Sequence, residues 1–440
     1  MSPSLMRRGP LALLVLGLGL APGAAPCAAA PPPPPAAAAP APMQPLSAQL
    51  TLAQLLAELE ATSPALRRVE AEARAAAERP AQARTLEDPM LMLELWQVPT
   101  SVAHVPLMIT LRQPLPWPGK LRARAAALEP ELARARAEAA LTARDLRLAA
   151  TRGYYDYLFS VRSLAALATQ QRLLAGIVAA AEIRYRVGRA ELAELLKAQE
   201  DAASLDNLVL DVEQQRDVTV AALNTLLARP PEQPLGTPVT LPEVRPLPAL
   251  AQLTERALAV HPVLRGARAG LLQAQAREHA ARLERAPDLA LWAGYMAMLR
   301  GGGDGTFTVG VQTSLPSLSL LGRGAAVREA AARVSGQRAA LAETEARLRG
   351  ELRQALLRTE SAERHIRLHE QTLVPTAERA VRAAQAGYQN GRVPLVLLLD
   401  AARALVQHQL DHARYLTEYG QRLAELEAAV GEPLPEGGRP

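Results

Sequence analysis

The sequence is poor in aromatic residues, nearly devoid of cysteine and lysine, and free of long apolar runs beyond its N-terminus. Phe, Trp and Tyr make up 3% of its 440 residues. A core of bulky interlocking rings is therefore excluded. The dominance of Ala, Leu, Arg and Glu points instead to long helices packed through small side chains. A lone cysteine, Cys27, excludes any intramolecular disulfide. Lysine occurs only at Lys120 and Lys197, so almost every cation is an arginine. The 49 cations are interspersed with 44 anions, the pattern of solvated helix faces, and the net charge of +5 does not mark a nucleic-acid surface. No stretch after the N-terminus reaches 18 apolar residues, so no membrane-spanning helix is expected. There is no phosphate loop, nucleophile elbow or acid–base pair, which points away from an enzyme and away from a cofactor.

What is present begins with an export pattern. Arg7 and Arg8 precede the apolar run Leu11 to Leu20, and small residues follow in APGAAPCAAA. Residues 1–29 read as a signal peptide and 30–50 as a Pro/Ala-rich linker. Cys27 falls where the signal should be cut. It can be read as a lipidated N-terminal residue or as an ordinary part of the signal. Pro26 immediately before it speaks for the second.

The rest of the chain repeats itself. Pro64-Ala-Leu-Arg matches Pro262-Val-Leu-Arg, and Pro89 matches Pro287. LPWPGKLRARA (115–125) is answered by LPSLSLLGRGAAV (315–327), and YRVGRAELAELLKA (185–198) by YQNGRVPLVLLLDA (388–401). The Pro-rich segment 230–248 separates a first repeat (51–229) from a second (249–430), followed by a tail (431–440). Within each repeat the predicted order is helix, two short strands, long helix, tip, long helix. Gly188 and Gly391 mark the tips, because glycine ends helices in the left-handed region without a Cβ clash.

Period two defines the strands. In MLMLELW, Leu91, Leu93 and Leu95 share a face opposite Met90, Met92 and Glu94. In LMITLR, Leu107, Ile109 and Leu111 oppose Met108, Thr110 and Arg112, and in FTVGVQ, Phe307, Val309 and Val311 oppose Thr308, Gly310 and Gln312. DLALWAGYMAM (288–298) alternates less cleanly, as a bulged strand would. This patterning suits a membrane β-barrel and also a half-buried sheet in a soluble domain. Trp96, Trp117 and Trp292 lie in or beside these strands, where an interfacial girdle would place them. Four strands cannot close a barrel, so the barrel reading requires oligomerisation. After the second tip, Leu398, Ala402, Leu405, Gln409, His412, Leu416, Tyr419, Leu423, Leu426 and Val430 keep a four-three spacing expected of a coiled coil.

In the two-fold repeat, the PLPWPGK junction and the paired Y-x-x-G-R…L-L-x-A tips, the chain after residue 50 resembles the TolC family of outer-membrane efflux proteins. The Asp-Pro-Met (88–90) and Pro-Trp-Pro-Gly-Lys (116–120) junctions look most like the subgroup exporting heavy metals with an RND pump. The resemblance implies a mainly α trimer: a long α-helical coiled-coil barrel in the periplasm, continued by four strands per protomer in a shared twelve-stranded outer-membrane β-barrel. It implies a passive export duct of a tripartite system, with a periplasmic membrane-fusion adaptor and an inner-membrane RND-type pump as partners. Gly188, Arg189, Gly391 and Arg392 would form the adaptor-docking tips. Asp400 would contribute an acidic ring at the aperture, with Glu194 and Tyr388 in a polar lock. Leu397 stands where a second acidic ring is expected and Val393 where the lock's basic residue is expected. Arg392 is the candidate substitute.

Met90, Met92 and Met108 fall on the polar parity of the strands, where thioethers would suit soft cations such as Cu(I), or serve as adaptable filler. His365/His369 and His408/His412 form i,i+4 pairs able to share a metal but without the glutamate of a catalytic helix. Competing readings are a drug or protein export channel of the same family, or a periplasmic coiled-coil adaptor without a pore, against which the doubled order of elements speaks.

Overall fold

The computed structural model describes residues 48–95, 106–298, 305–314 and 320–434. The signal peptide, Cys27, Trp96 and most of the C-terminal tail lie outside them. The described residues fall in one compact unit.

Each repeat opens with a short helix broken by proline. In α1 (Leu52–Thr62), Thr51 accepts from Gln54 N (3.2 Å) while its own N–H donates to Gln54 Oε1 (3.0 Å), a reciprocal cap. Pro64 ends α1 and starts α2 (Pro64–Arg84); Pro262 does the same between α5 (Leu250–Val260) and α6 (Pro262–Leu283). Proline fits a first helical turn because its missing N–H would go unpaired there.

The strands follow. β2 (Met90–Leu95), β3 (Pro106–Leu115), β5 (Leu289–Met298) and β6 (Thr306–Thr313) form one antiparallel sheet in the order β2-β3-β5-β6. The expected bulge in β5 is absent. Its pairing with β3 runs unbroken from Leu289↔Leu115 to Met298↔Pro106. Glycine explains the weak alternation instead: Gly294 and Gly310 lie where a neighbouring side chain needs the room. A Cβ on Gly310 would stand 2.5 Å from the Trp292 ring.

Long helices carry the chain away from the sheet. α3 (Lys120–Arg186) runs 67 residues, turns at Gly188, and returns as α4 (Leu192–Leu226). One 18-residue window of α3 is apolar enough by composition to cross a membrane, contrary to the expectation from apolar run length. Its alanines and leucines belong to a helix packed against α2, α4, α6 and α9. In the second repeat, α7 (Leu320–Leu368) passes through a π-turn (His369–Leu373) into α8 (Val374–Gln389), and α9 (Leu395–Val430) returns. The seam of α9 is as the spacing predicts. Leu398, Ala402, Leu405, Tyr419, Leu426 and Val430 are buried, and Gln409 and His412 only in part.

Cores repeat as the sequence does. Leu55, Tyr154, Leu158 and Leu223 pack in the first repeat, and Leu264, Leu352, Leu426 and Val430 in the second. A third cluster joins both hairpins near their tips through Ile177, Leu195, Tyr388, Leu398 and Ala402. The segment between the repeats is tied down. Thr237–Pro238 (β4) pairs in parallel with Gln49–Leu50 (β1), and the buried Tyr154 hydroxyl accepts from Thr240 N at 2.7 Å.

Candidate functional site

Two regions concentrate unusual chemistry, the sheet and the hairpin tips. Cross-strand register sorts the sheet's side chains into two faces. One carries Leu91, Leu93 and Leu95, then Leu107, Ile109 and Leu111, then Leu291, Ala293 and Tyr295, then Phe307, Val309 and Val311. Apart from Gln113 and Thr313, at the end where the strands meet the helices, the face is apolar or aromatic, yet it is uncovered: Phe307 is 66% exposed and Val309 70%. In water so broad an apolar surface is unfavourable at about 25 cal/mol per Å². It is the surface that hydrocarbon would solvate.

The other face carries Met90, Met92, Glu94, Met108, Thr110, Arg112, Thr308 and Gln312. The three methionines singled out by parity therefore do share a face. Register adds Met296, directly opposite Met108. Trp292 sits on this face too, between Arg112 and Gly310, so it does not belong to a girdle on the apolar side. Among the described residues, Tyr295 and Phe307 are the aromatic residues there.

An ion cluster around one buried lysine joins sheet to helices. Lys120, at the start of α3, is fully buried; its Nζ lies 2.8 Å from Asp288 Oδ1 and 3.3 Å from Glu284, and donates to Ala286 O at 2.8 Å. Asp288 Oδ1 also accepts from Trp117 N (2.9 Å). Burial opposes ionisation of Asp288, but the Lys120 and Trp117 donors outweigh it and hold its carboxyl below the ordinary value. The PWPGK segment thus anchors the first repeat to the second.

At the tips, Gly188 (φ 70°) and Gly391 (φ 69°) are both left-handed. Gly188 N donates to Tyr185 O and Arg189 N to Arg184 O; Gly391 N donates to Tyr388 O and Arg392 N to Gly387 O. These are two copies of one Schellman turn. Around them Ile183, Val187, Leu192, Leu196, Val396 and Leu397 are exposed, an apolar collar at the end of the hairpins.

Tyr388 is buried, 3% exposed, with its hydroxyl unpartnered. Burial pushes its phenol up, while Arg184 opposes and Glu194 reinforces the shift. The Arg184 guanidinium lies 4.5 Å from the Tyr388 ring centre and donates to Tyr388 O at 2.6 Å. Arg392, the candidate basic partner, is exposed, and Val393 packs on Gly387. The cation between the two tips is therefore Arg184, which sequence position alone did not suggest.

Asp400 is exposed and paired with Arg403 at 3.3 Å. Arg403 also bonds Asp201, a buried carboxylate on α4 that Lys197 approaches to 3.5 Å. Arg403 and Asp201 link α9 to α4 and were missed because single charges on helices give no sequence pattern.

Comparison with known proteins agrees with this geometry. Residues 253–432 match the model of the outer membrane efflux protein family. No curated protein matches the sequence. The fold is similar to the outer-membrane channel OprN (17% identity, TM-score 0.75, covering 86% of this chain and 89% of that one). It is similar to VceC of Vibrio cholerae (20%, 0.73, 87% and 96%) and to CusC, described for transmembrane channel formation (16%, 0.75, 87% and 92%).

Proposed function

We propose that this chain, a TolC-family outer-membrane efflux protein by its second repeat and its fold, trimerises into the exit duct of a tripartite efflux system. One observation carries the reading: the continuous, uncovered apolar face on a four-stranded sheet whose outer strands, β2 and β6, are paired on one side only among the described residues. A bilayer tolerates strands only when every backbone group is paired, so β6 of one copy meets β2 of the next and three copies close the barrel. The apolar face then meets lipid and the methionine-bearing face lines the lumen. Helices α3, α4 and α7 to α9 continue the duct into the periplasm of a Gram-negative cell. Cys27, if lipidated, adds an anchor at the outer membrane.

At the far end, the apolar collar with Gly188, Arg189, Gly391 and Arg392 suits docking of a membrane-fusion adaptor, itself joined to an RND-type pump. Arg184 and Tyr388 tie the tips together beside Glu194, and Asp400 from three copies forms a cation-attracting ring. The transported substrate proposed is a heavy-metal cation, favoured by Met90, Met92 and Met108 together with Met296. The duct moves it without chemistry.

Paired substitutions of adjacent residues test the barrel. Val309→Arg places a charge in hydrocarbon, costing about 2–4 kcal/mol near mid-bilayer, and should abolish the heat-sensitive trimer in outer membranes. Thr308→Arg, on the other face, should leave it. Equal loss from both would refute the sheet's proposed orientation. Deletion in the native host should sensitise cells to copper, silver, zinc, cobalt or cadmium; sensitivity to drugs alone would keep the duct and remove the metal.

A further inference from the structure

Halfway along the second hairpin, the π-turn brings a histidine of one helix against a histidine and a carboxylate of another. His369 on the π-turn, with His408 and Asp411 on α9, each offer a ligand atom, and all three atoms lie within 4.8 Å of one another. His369 is buried and the other two partly so. The tautomer of His369 is set: its Nδ1 donates to His365 O at 2.9 Å, leaving Nε2 with a free lone pair. That is the backbone-carbonyl support metal-bound histidines usually have. His408 Nδ1 is buried with no hydrogen-bond partner. Gln407 Nε2 donates to Asp411 Oδ1 at 3.0 Å, steadying the carboxylate while leaving Oδ2 free.

We infer that His369, His408 and Asp411 form a binding site for a divalent transition cation of borderline hardness, such as Zn²⁺, Ni²⁺ or Co²⁺. Two imidazoles and one carboxylate suit these ions, and a water completes the coordination. Soft Cu(I) is a poor fit because no sulfur is present. The π-turn supports the assignment independently. Val374 N reaches back to His369 O, five residues away, and an inserted residue of this kind changes the facing of a helix and recurs at functional sites. Here it points His369 at α9. His365 is otherwise engaged, stacked on Tyr415 at 4.4 Å, and His412 lies a turn further on, near Glu370, His369 and Arg162. The ion would clamp α9 to the π-turn on the hairpin that ends at Tyr388. This site goes beyond the export reading, since it requires neither that metal be transported nor that the strand methionines bind it.

The test uses the full-length protein purified in detergent, stripped with a chelator and titrated with Co²⁺ alone, whose visible ligand-field bands report nitrogen and oxygen coordination. A single saturable site per chain is expected, lost in His408→Gln/Asp411→Asn and retained in His412→Gln, His365→Gln and Met90→Leu/Met92→Leu/Met108→Leu. Zn²⁺ should displace Co²⁺ and raise the Tm of the unsubstituted protein but not that of the double variant. Trimer migration on native gels checks that the double variant is folded, and His408→Gln alone gives a milder second test. Bands that persist in both ligand variants, bands lost in His412→Gln or His365→Gln, or no saturation below about 1 mM Co²⁺ would each overturn the site.

Discussion

Arg184 donates to the carbonyl of Tyr388 at 2.6 Å and stacks on the ring of the same residue at 4.5 Å. That carbonyl already accepts Gly391 N in the second tip, while Arg184 O accepts Arg189 N in the first. One arginine therefore ties the closing turn of one hairpin to that of the other. In the proposed duct, opening the end would require this tie to move. A cationic hydrogen bond with a cation–π contact contributes about 1–3 kcal/mol. Arg184→Ala should raise the spontaneous conductance of the protein in planar bilayers and sensitise cells to large antibiotics. Arg184→Lys, which keeps the charge but loses the planar fork, should fall between. Unchanged conductance in Arg184→Ala would show that the tie does not hold the aperture.

The glycines of the tips are required by conformation and not by space. A Cβ on Gly188 would meet nothing within 4 Å, yet its φ is 70°. Gly188→Ala should cost about 1–2 kcal/mol of local stability through backbone strain alone, and Gly188→Asn less, because asparagine tolerates the left-handed region. Hydrogen exchange at the tip amides would show the order Gly, Asn, Ala. On the proposed docking reading, adaptor binding by the Asn variant at unchanged affinity would indicate that the turn, and no glycine-specific contact, is what is recognised.

Much of this arrangement is legible in the sequence where a pattern has a fixed period. The strands follow from alternation, the α9 seam from four-three spacing, and the tips from glycine placed twice in matching surroundings. Single long-range pairs leave no period, so Arg184 against Tyr388 and Arg403 against Asp201 appear only once the hairpins are side by side. Sequence position pointed to Arg392 because it neighbours Val393, but a residue just past a Schellman turn faces outward. The π-turn was invisible for another reason. The helical composition continues through it, and only Pro375, which lacks the N–H for a regular ladder, hints that hydrogen bonding changes there.

Lys120 predicts an acid-sensitive joint between sheet and helices. Its amine is fully buried, but Asp288 and Glu284 are each about 40% exposed, so water relieves part of the loss when the pair is broken. Lys120→Met should therefore cost about 2 kcal/mol, less than for a wholly buried pair. The folded state holds the Asp288 carboxyl below its ordinary value, so its contribution is complete above that ordinary value and is lost as pH falls through the depressed one. Melting curves taken down an acid series should converge for Lys120→Met and the unsubstituted protein. A constant gap at all pH values would mean that packing, and not charge, is what Lys120 supplies.

His261 sets a second, milder pH window. It caps α6 as Pro262 begins the helix, its Nδ1 accepting from Val263 N at 3.2 Å. Its other nitrogen, Nε2, lies 3.0 Å from Arg144 Nη1, which also donates to Ala428 O at 3.4 Å. Burial and then the Arg144 charge push the imidazole down to about 4 from an ordinary 6.5, with the Ala428 carbonyl opposing. The unfolded chain takes up this proton near 6.5 and the folded one only near 4. Stability is therefore complete above about 6.5, declines as pH falls across the interval, and loses nothing further from this group below about 4. His261→Asn keeps an acceptor for Val263 N without a titrating ring. The Tm of the unsubstituted protein should drop by several degrees between pH 6.5 and about 4 relative to that of His261→Asn. Parallel curves through this window would assign the acid response to the carboxylates alone.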